Sequence, residues 1–320
     1  MYSGGEFIII KQVINDLCCP MSLAQFKDCN LTNKNNSLHS TLDTYPIIKG
    51  VPDLRLADDR VSGTSYDSIL PDWKINNHNH DYTNMFKYSG IEEKHIIGKK
   101  VLVAGVGTGN ELDLVLKCNP RIVYAIDFSN HVLKLSEDTF YKNKNIYFFI
   151  GDLCNLPFKR NIFDYVISGG IIHHTRSPEL AHRNIWRTIK NKGYLNYIHI
   201  YLENLHNRRV SIDRLISNYH NKNVKSAKRN LKYFSYIYFF LIKTRILKFI
   251  NRKNFRFPFL LELNGNVNAS GYYNGAIDYY LARYRHVIPT EDVFSWFKQV
   301  GSNAQRTPKG FIGRKEFKNN

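Results

Sequence analysis

The sequence predicts an α/β protein, a mostly parallel sheet wound on both faces by helices, and three observations carry that prediction. Short apolar runs at 101–104, 122–127, 146–150 and 163–168 recur with helical patterns between them, as in parallel strands joined by crossovers. After the first run stands Gly105-Val106-Gly107-Thr108-Gly109, where glycines permit positive φ and let a ligand approach the backbone. Composition agrees: 43% hydrophobic and 22% charged residues over 320 positions suit a globular core domain with accessory pieces.

The elements follow in order. Residues 1–58 read as a compact opening unit, closing with Tyr45-Pro46-Ile47-Ile48-Lys49-Gly50-Val51-Pro52-Asp53-Leu54, whose prolines and glycine suggest an extended edge and a turn. The stretch from Met1 to Cys19 lacks a basic start and a small-residue cleavage site, so it does not read as a signal peptide. Five cysteines, 18, 19, 29, 118 and 154, an odd number without an export signal, fit reduced thiols in a cytoplasmic setting. Residues 59–98 read as a polar linker leading into a helix over the ligand pocket. His78, His80 and Asp81 there fall on a turn-like run and are not expected to hold a metal.

The core is expected from 59 to 202. Val101–Ala104 is its first strand, Glu111–Cys118 a helix and Ile122–Asp127 a second strand ending in a carboxylate. A helix from Asn130, the strand Ile146–Ile150 and the strand Phe163–Ser168 follow. Pro178–Ile189 is helical, Asn191-Lys192-Gly193 reads as a stop, and Tyr194–Tyr201 is a fifth strand. Residues 203–285 interrupt the core as a basic, aromatic cover, mainly helical, and 286–320 complete it. Thr290 is the expected N-cap of a helix that places Val293, Trp296 and Phe297 on one face. Gly301 ends this helix, and the tail to Phe317 can form an antiparallel hairpin.

The net charge of +18 is concentrated: between His206 and Phe257 fourteen Lys or Arg face one acid, Asp213. A single basic face fits an anionic substrate, an anionic membrane surface or RNA better than a general affinity for polyanions. Within the aromatic and aliphatic stretch Leu231–Ile250 the longest uncharged run, Tyr233–Ile242, is half a membrane span, so no transmembrane segment is expected there.

The glycine loop could serve a dinucleotide, but that fingerprint needs a third glycine where Asn110 stands. Five successive motifs point elsewhere: the loop with Asp127; Gly151-Asp152 with Leu156-Pro157-Phe158; Phe163-Asp164-Tyr165-Val166-Ile167-Ser168; Gly170-Ile171-Ile172-His173-His174-Thr175 with Pro178; and Ile189-Lys190-Asn191-Lys192-Gly193. With these in register, residues 100–202 resemble the class I S-adenosylmethionine-dependent methyltransferase domain. The resemblance implies a Rossmann-like, doubly wound sheet of seven strands with S-adenosylmethionine as cofactor. It also implies Gly105, Gly107 and Gly109 beside the methionine and ribose, Asp127 at the ribose diol, Asp152 with Leu153 at the adenine edge, and Ala104, Phe128 and Gly170 among the cofactor-binding residues. Ala104 departs from the acidic residue that many members carry to anchor the ammonium group, and Glu111 could compensate. Asp164 is expected to serve the strand turn.

Cys19-Pro20 and the Tyr45–Leu54 segment resemble a small zinc-ribbon-like module that precedes the catalytic domain of some bacterial methyltransferases, including ribosomal RNA guanine methyltransferases. Ser22, Leu38 and Thr41 stand where ligands would fall, so a degenerate, metal-free module is expected.

Methyl transfer needs alignment and, for a hydroxyl or protonated amine, a base. His173 and His174 lie beyond the fourth strand and are candidates for that base or for pocket lining. Arg283, Arg285 and His286 suit a carboxylate or phosphate on the acceptor. The tetrapeptide Asn/Asp-Pro-Pro-aromatic and a Pro-Cys pair are both absent, which argues against base-amine and cytosine-carbon methylation. The expected function is therefore methyl transfer to a small or lipid-linked anionic acceptor such as a glycan or natural-product intermediate, on a cytoplasmic protein that can sit at a membrane. RNA methylation and a non-catalytic cofactor-binding scaffold are the alternatives.

Overall fold

A computed structural model describes residues 13–23, 28–32, 35–62, 67, 88–138, 145–200, 202, 224–243, 273, 277 and 280–316. The His78, His80 and Asp81 triplet and most of the basic segment lie outside them.

Four strands near the N-terminus, β1 (Asp28–Thr32), β2 (Asn35–His39), β3 (Thr44–Ile48) and β4 (Val51–Pro52), form an antiparallel sheet in sequence order. A short helix, α1 (Ala57–Ser62), follows. The main sheet contains β5 (Lys100–Ala104), β6 (Ile122–Asp127), β7 (Ile146–Ile150), β8 (Phe163–Gly169), β9 (Ile189–Ile198), β10 (Ala304–Thr307) and β11 (Gly310–Arg314). Its order is β10-β11-β9-β8-β5-β6-β7, with the five strands from β9 to β7 parallel and the β10–β11 hairpin antiparallel. The chain builds outward from β5 to β7 and then returns to place β8 on the other side of β5. That reversal opens a crevice at the carboxyl ends of β5 and β8, the place where such sheets bind ligands.

Strand periodicity decides the layers. Leu102, Ala104, Tyr124, Ile126 and Val166 point to one buried face, and Val101, Val103, Val123, Ala125, Tyr165 and Ile167 to the other. Helices α2 (Asn110–Lys117) and α3 (His131–Glu137) bury Leu112, Val115, Val132 and Leu135 on the second face. Helices α4 (Pro178–Thr188) and α6 (Thr290–Gln299) bury Ala181, Ile185, Trp186, Val293, Trp296 and Phe297 on the first. Between them in sequence lies α5 (Val224–Lys243).

The opening unit shares this core. Val13, Leu17, Cys19, Leu38, Tyr45, Ile47 and Leu54 pack in one cluster with Tyr124, Phe149, Phe158 and Phe163. Leu17 pairs antiparallel with Phe158, and the Lys100 ammonium lies 2.7 Å from the Asp16 carboxylate, which also accepts the Tyr124 hydroxyl. At the far edge Asp53 pairs in parallel with Ile150 in a single bridge, and the Leu54 N–H donates to the Ile150 carbonyl at 2.7 Å, so the module is tied to the β7 edge of the main sheet. Burial pushes the Cys19 thiol up, yet hydrogen bonds with Ser40, Tyr45 and Ser22 together outweigh it and bring it down to about 7. Among the described residues no group of three or more His, Cys, Asp or Glu is placed to hold a metal.

Two expectations are corrected. Asn191-Lys192-Gly193 does not separate helix from strand: β9 already begins at Ile189, which pairs with Phe163, and 190–193 form a bulge with Lys192 at φ +65°. Gly193 is required there because a Cβ would lie 2.8 Å from the Asp164 carbonyl. Thr290 is the first residue of α6 rather than its cap. Pro289 occupies the cap position, and the buried Thr290 hydroxyl makes no hydrogen bond among the described residues. Asp164 is structural, as expected: its carboxylate accepts the Lys100 N–H at 2.9 Å and the Lys190 ammonium at 2.9 Å.

Candidate functional site

The loop after β5 turns through three left-handed glycines, Gly105 (φ +84°), Gly107 (φ +50°) and Gly109 (φ +96°). A Cβ on Gly105 would lie 2.6 Å from the Ile171 side chain, so glycine is needed for β5 and the turn after β8 to meet. A Cβ on Gly107 or Gly170 would meet nothing within 4 Å, and these two positions present bare backbone to open space. Gly109 precedes the first turn of α2, whose amide donors face the loop.

Three carboxylates surround this cradle. The Asp127 oxygens accept the Gly107 N–H and the Ser129 N–H, each at 2.9 Å, which ties the end of β6 to the glycine loop. The Gly151 N–H donates to the Asp127 carbonyl at 2.8 Å, which brings the next acid alongside. Asp152 accepts the Cys154 N–H at 2.8 Å, and its other oxygen lies 3.6 Å from the Arg176 guanidinium. The Glu111 carboxylate lies over Gly169 so closely that a Cβ there would stand 2.2 Å from its Oε1. Loss of solvent raises Asp127 and Asp152 from their ordinary value and pushes Glu111 up to about 7. Acids held at that cost, Asp127 and Asp152 buried and Glu111 half-buried, fit a ligand that carries positive charge and hydroxyls. S-adenosylmethionine has both, in its ammonium, its sulfonium and its ribose diol.

On the other side of the crevice a 3-10 turn, Ile172–His174, carries the two histidines. Both are buried and their rings are 4.1 Å apart. Burial, helped by His174 and His286, keeps the His173 imidazole neutral far below its ordinary range. His174 Nδ1 is 2.9 Å from the Tyr284 carbonyl, and an acceptor there requires the proton on Nδ1 and leaves the lone pair on Nε2. The His286 N–H donates to the His173 carbonyl at 2.9 Å, and its ring Nε2 to the Thr175 carbonyl at 3.0 Å. Residues 284–286 are thus laced onto the histidine turn. Arg283 is exposed, with its guanidinium over the Tyr284 ring, and Arg285 is half-buried.

The expected cofactor residues divide into two groups. Gly105, Gly107, Gly109, Asp127 and Gly170 converge on the crevice, with Asp152 at its edge and Phe128 half-buried behind Asp127. The Ala104 and Leu153 side chains instead pack in the hydrophobic core, so any contact they make with a ligand is through backbone.

One residue escaped the sequence reading. Arg55 is buried and bidentate with Asp53, at 2.9 and 2.6 Å. It also donates to the Phe128 carbonyl at 3.2 Å and to the Asn130 side chain at 3.0 Å. Asp67 accepts the Asn130 N–H at 2.6 Å. The opening unit therefore grips the loop that follows Asp127. The available signal was the spacing: two residues apart on an extended segment, Asp53 and Arg55 share one side.

Residues 102–197 match the family model for the methyltransferase domain. No curated protein matches the chain. Among solved structures, a putative S-adenosylmethionine-dependent methyltransferase of Methanococcus maripaludis is similar at 18% identity over 82% of this chain and 92% of its own, with a TM-score of 0.40. A counterpart from Aquifex aeolicus shares 14% identity over 78% and 96%, with a TM-score of 0.42. A complex of a Haloferax volcanii methyltransferase activator with a putative methyltransferase is similar at 20% identity and a TM-score of 0.39, covering 46% of this chain and 66% of the other. Residues 102–197, which hold core strands, the glycine loop and the motifs that follow it, carry a methyltransferase domain.

Proposed function

We propose that the chain transfers a methyl group from S-adenosylmethionine to a small or lipid-linked anionic acceptor. The observation that carries this reading is the pairing of a cradle lined by desolvated acids with a histidine turn onto which Tyr284-Arg285-His286 is laced. When bound, the cofactor would supply an electrophilic methyl carbon on a sulfonium, with a neutral thioether as the leaving group.

The protein's own part is alignment and a place for the acceptor proton. Glu111 offers its charge to the ammonium group in place of the missing acid at position 104, and Asp127 accepts the ribose hydroxyls. His174 Nε2, whose lone pair is set by the Nδ1 bond to Tyr284, takes the acceptor proton. His173 stays neutral and shapes the wall. Arg283 and Arg285 attract the acceptor's anionic group to this side of the crevice.

Calorimetry tests the cofactor half. Wild-type chain should bind S-adenosylmethionine, and Asp127→Ala should weaken binding by about ten- to a hundredfold, the worth of hydrogen bonds to a charged group. Transfer of a labelled methyl group into separated pools of small acids, lipid extract and RNA tests the acceptor half. Label in the RNA pool alone would replace this reading with the RNA one, which the basic segment favours; cofactor binding with no transfer to any pool would favour a scaffold.

A further inference from the structure

Helix α5 buries one side and exposes another of unusual chemistry. Ala227, Leu231 and Ser235, spaced by four, are buried, and the Ser235 hydroxyl donates to the Leu231 carbonyl at 2.7 Å. About half a turn away around the helix, Tyr233, Tyr236, Ile237 and Phe240 are 65%, 55%, 55% and 63% exposed. Arg229 and Lys232 are exposed on the same side. The helix sequence also holds Lys225, Lys228 and Lys243 and contains no acid.

We propose that this face docks on an anionic lipid bilayer, with α5 lying in the plane of the interface. Tyrosines, Ile237 and Phe240 enter the boundary between headgroups and acyl chains, and the basic residues meet anionic headgroups. Length and charge exclude a span: no helix among the described residues is long and apolar enough to cross a membrane. A second copy of the same face fits poorly, because pairing would set Arg229 and Lys232 against like charges with no acid on the helix to balance them. RNA would use the arginine, lysine and tyrosines but has no partner for the exposed Ile237 and Phe240. Net charge adds complementarity, since the segment 206–257 carries fourteen basic residues and one acid. Docking is read without cofactor, so its failure is distinguishable from failure of the methyl-transfer reading.

Flotation of the full chain with vesicles tests the proposal. Phosphatidylcholine vesicles containing phosphatidylglycerol should carry the protein, and phosphatidylcholine alone should not. Tyr233→Ser, Ile237→Ser and Phe240→Ser combined should lower partitioning by about tenfold or more, since three large side chains no longer leave water, while cofactor affinity stays that of the wild type. Arg229→Glu with Lys232→Glu provides a second variant, which should lose the response to phosphatidylglycerol. Wild-type chain that stays unbound at low salt overturns the proposal. So does a triple variant that floats like the wild type, or one that loses RNA binding but keeps vesicle binding.

Discussion

Glu111 concentrates the chemistry of the site at a single residue. Deprived of solvent, its carboxyl is pushed up to about 7, so near neutrality it carries a proton in a sizeable fraction of molecules. A cation placed beside it favours the ionised form, and binding then releases that proton. Affinity for S-adenosylmethionine should therefore rise with pH up to about 7 and level off above it, by at most about tenfold per pH unit. Glu111→Gln should flatten this rise, and calorimetry in buffers of different ionisation enthalpy reads both the affinity and the proton released. His182 is shifted in the opposite direction and lies away from the site. Burial among Trp186, Tyr197 and Phe297 drives it from 6.5 to about 3, and its Nδ1 lies 3.0 Å from the Tyr197 hydroxyl. The unfolded chain binds a proton there that the folded chain refuses, so this residue's share of stability is lost as pH falls from 6.5 toward 3. His182→Gln should lose less stability on acidification than the wild type over that range, measured by urea midpoints.

At the scale of elements, the site depends on joints between segments far apart in sequence. Arg55 joins the opening unit to the loop after β6. Removing one partner of a buried ion pair leaves the other charge unpaired, so Arg55→Ala should cost about 3–5 kcal/mol of stability. Replacing both, Asp53→Leu with Arg55→Met, should restore much of that loss. Cofactor affinity should stay reduced in the double variant, because the Phe128 carbonyl and Asn130 have lost their anchor. Thermal melting and calorimetry separate the two effects. The close pass of Glu111 over Gly169 is a second joint. Gly169→Ala should displace that carboxylate and weaken cofactor binding while β8 keeps its pairing with β9, because the collision is with a side chain and not with backbone.

Across the whole molecule, one hydrophobic cluster runs from Val13 and Tyr45 through Tyr124 and Phe158, so the opening unit and the main sheet share packed surface. Buried aromatic rings at that seam, Tyr124 against Phe149, Phe158 and Phe163 with centroids 5.3 to 5.7 Å apart, make the joint specific. The crevice lies at the carboxyl ends of β5 and β8, where the strand order reverses direction.

Strands β6 and β7 were legible to the residue, because a parallel strand buried on both faces must be a short apolar run between breakers. The glycine loop was legible for a related reason, since close backbone approach and positive φ leave few residue choices. By itself the sequence determined the doubly wound class, the left-handed glycine turn after β5 and the concentration of basic charge. Only the tertiary structure decided that Arg55 grips the loop after β6, that Ala104 belongs to the core and that Thr290 turns inward instead of capping α6. Local pattern encodes how one segment meets water; these outcomes depend on which distant backbone atoms arrive beside a side chain, and packing alone supplies them.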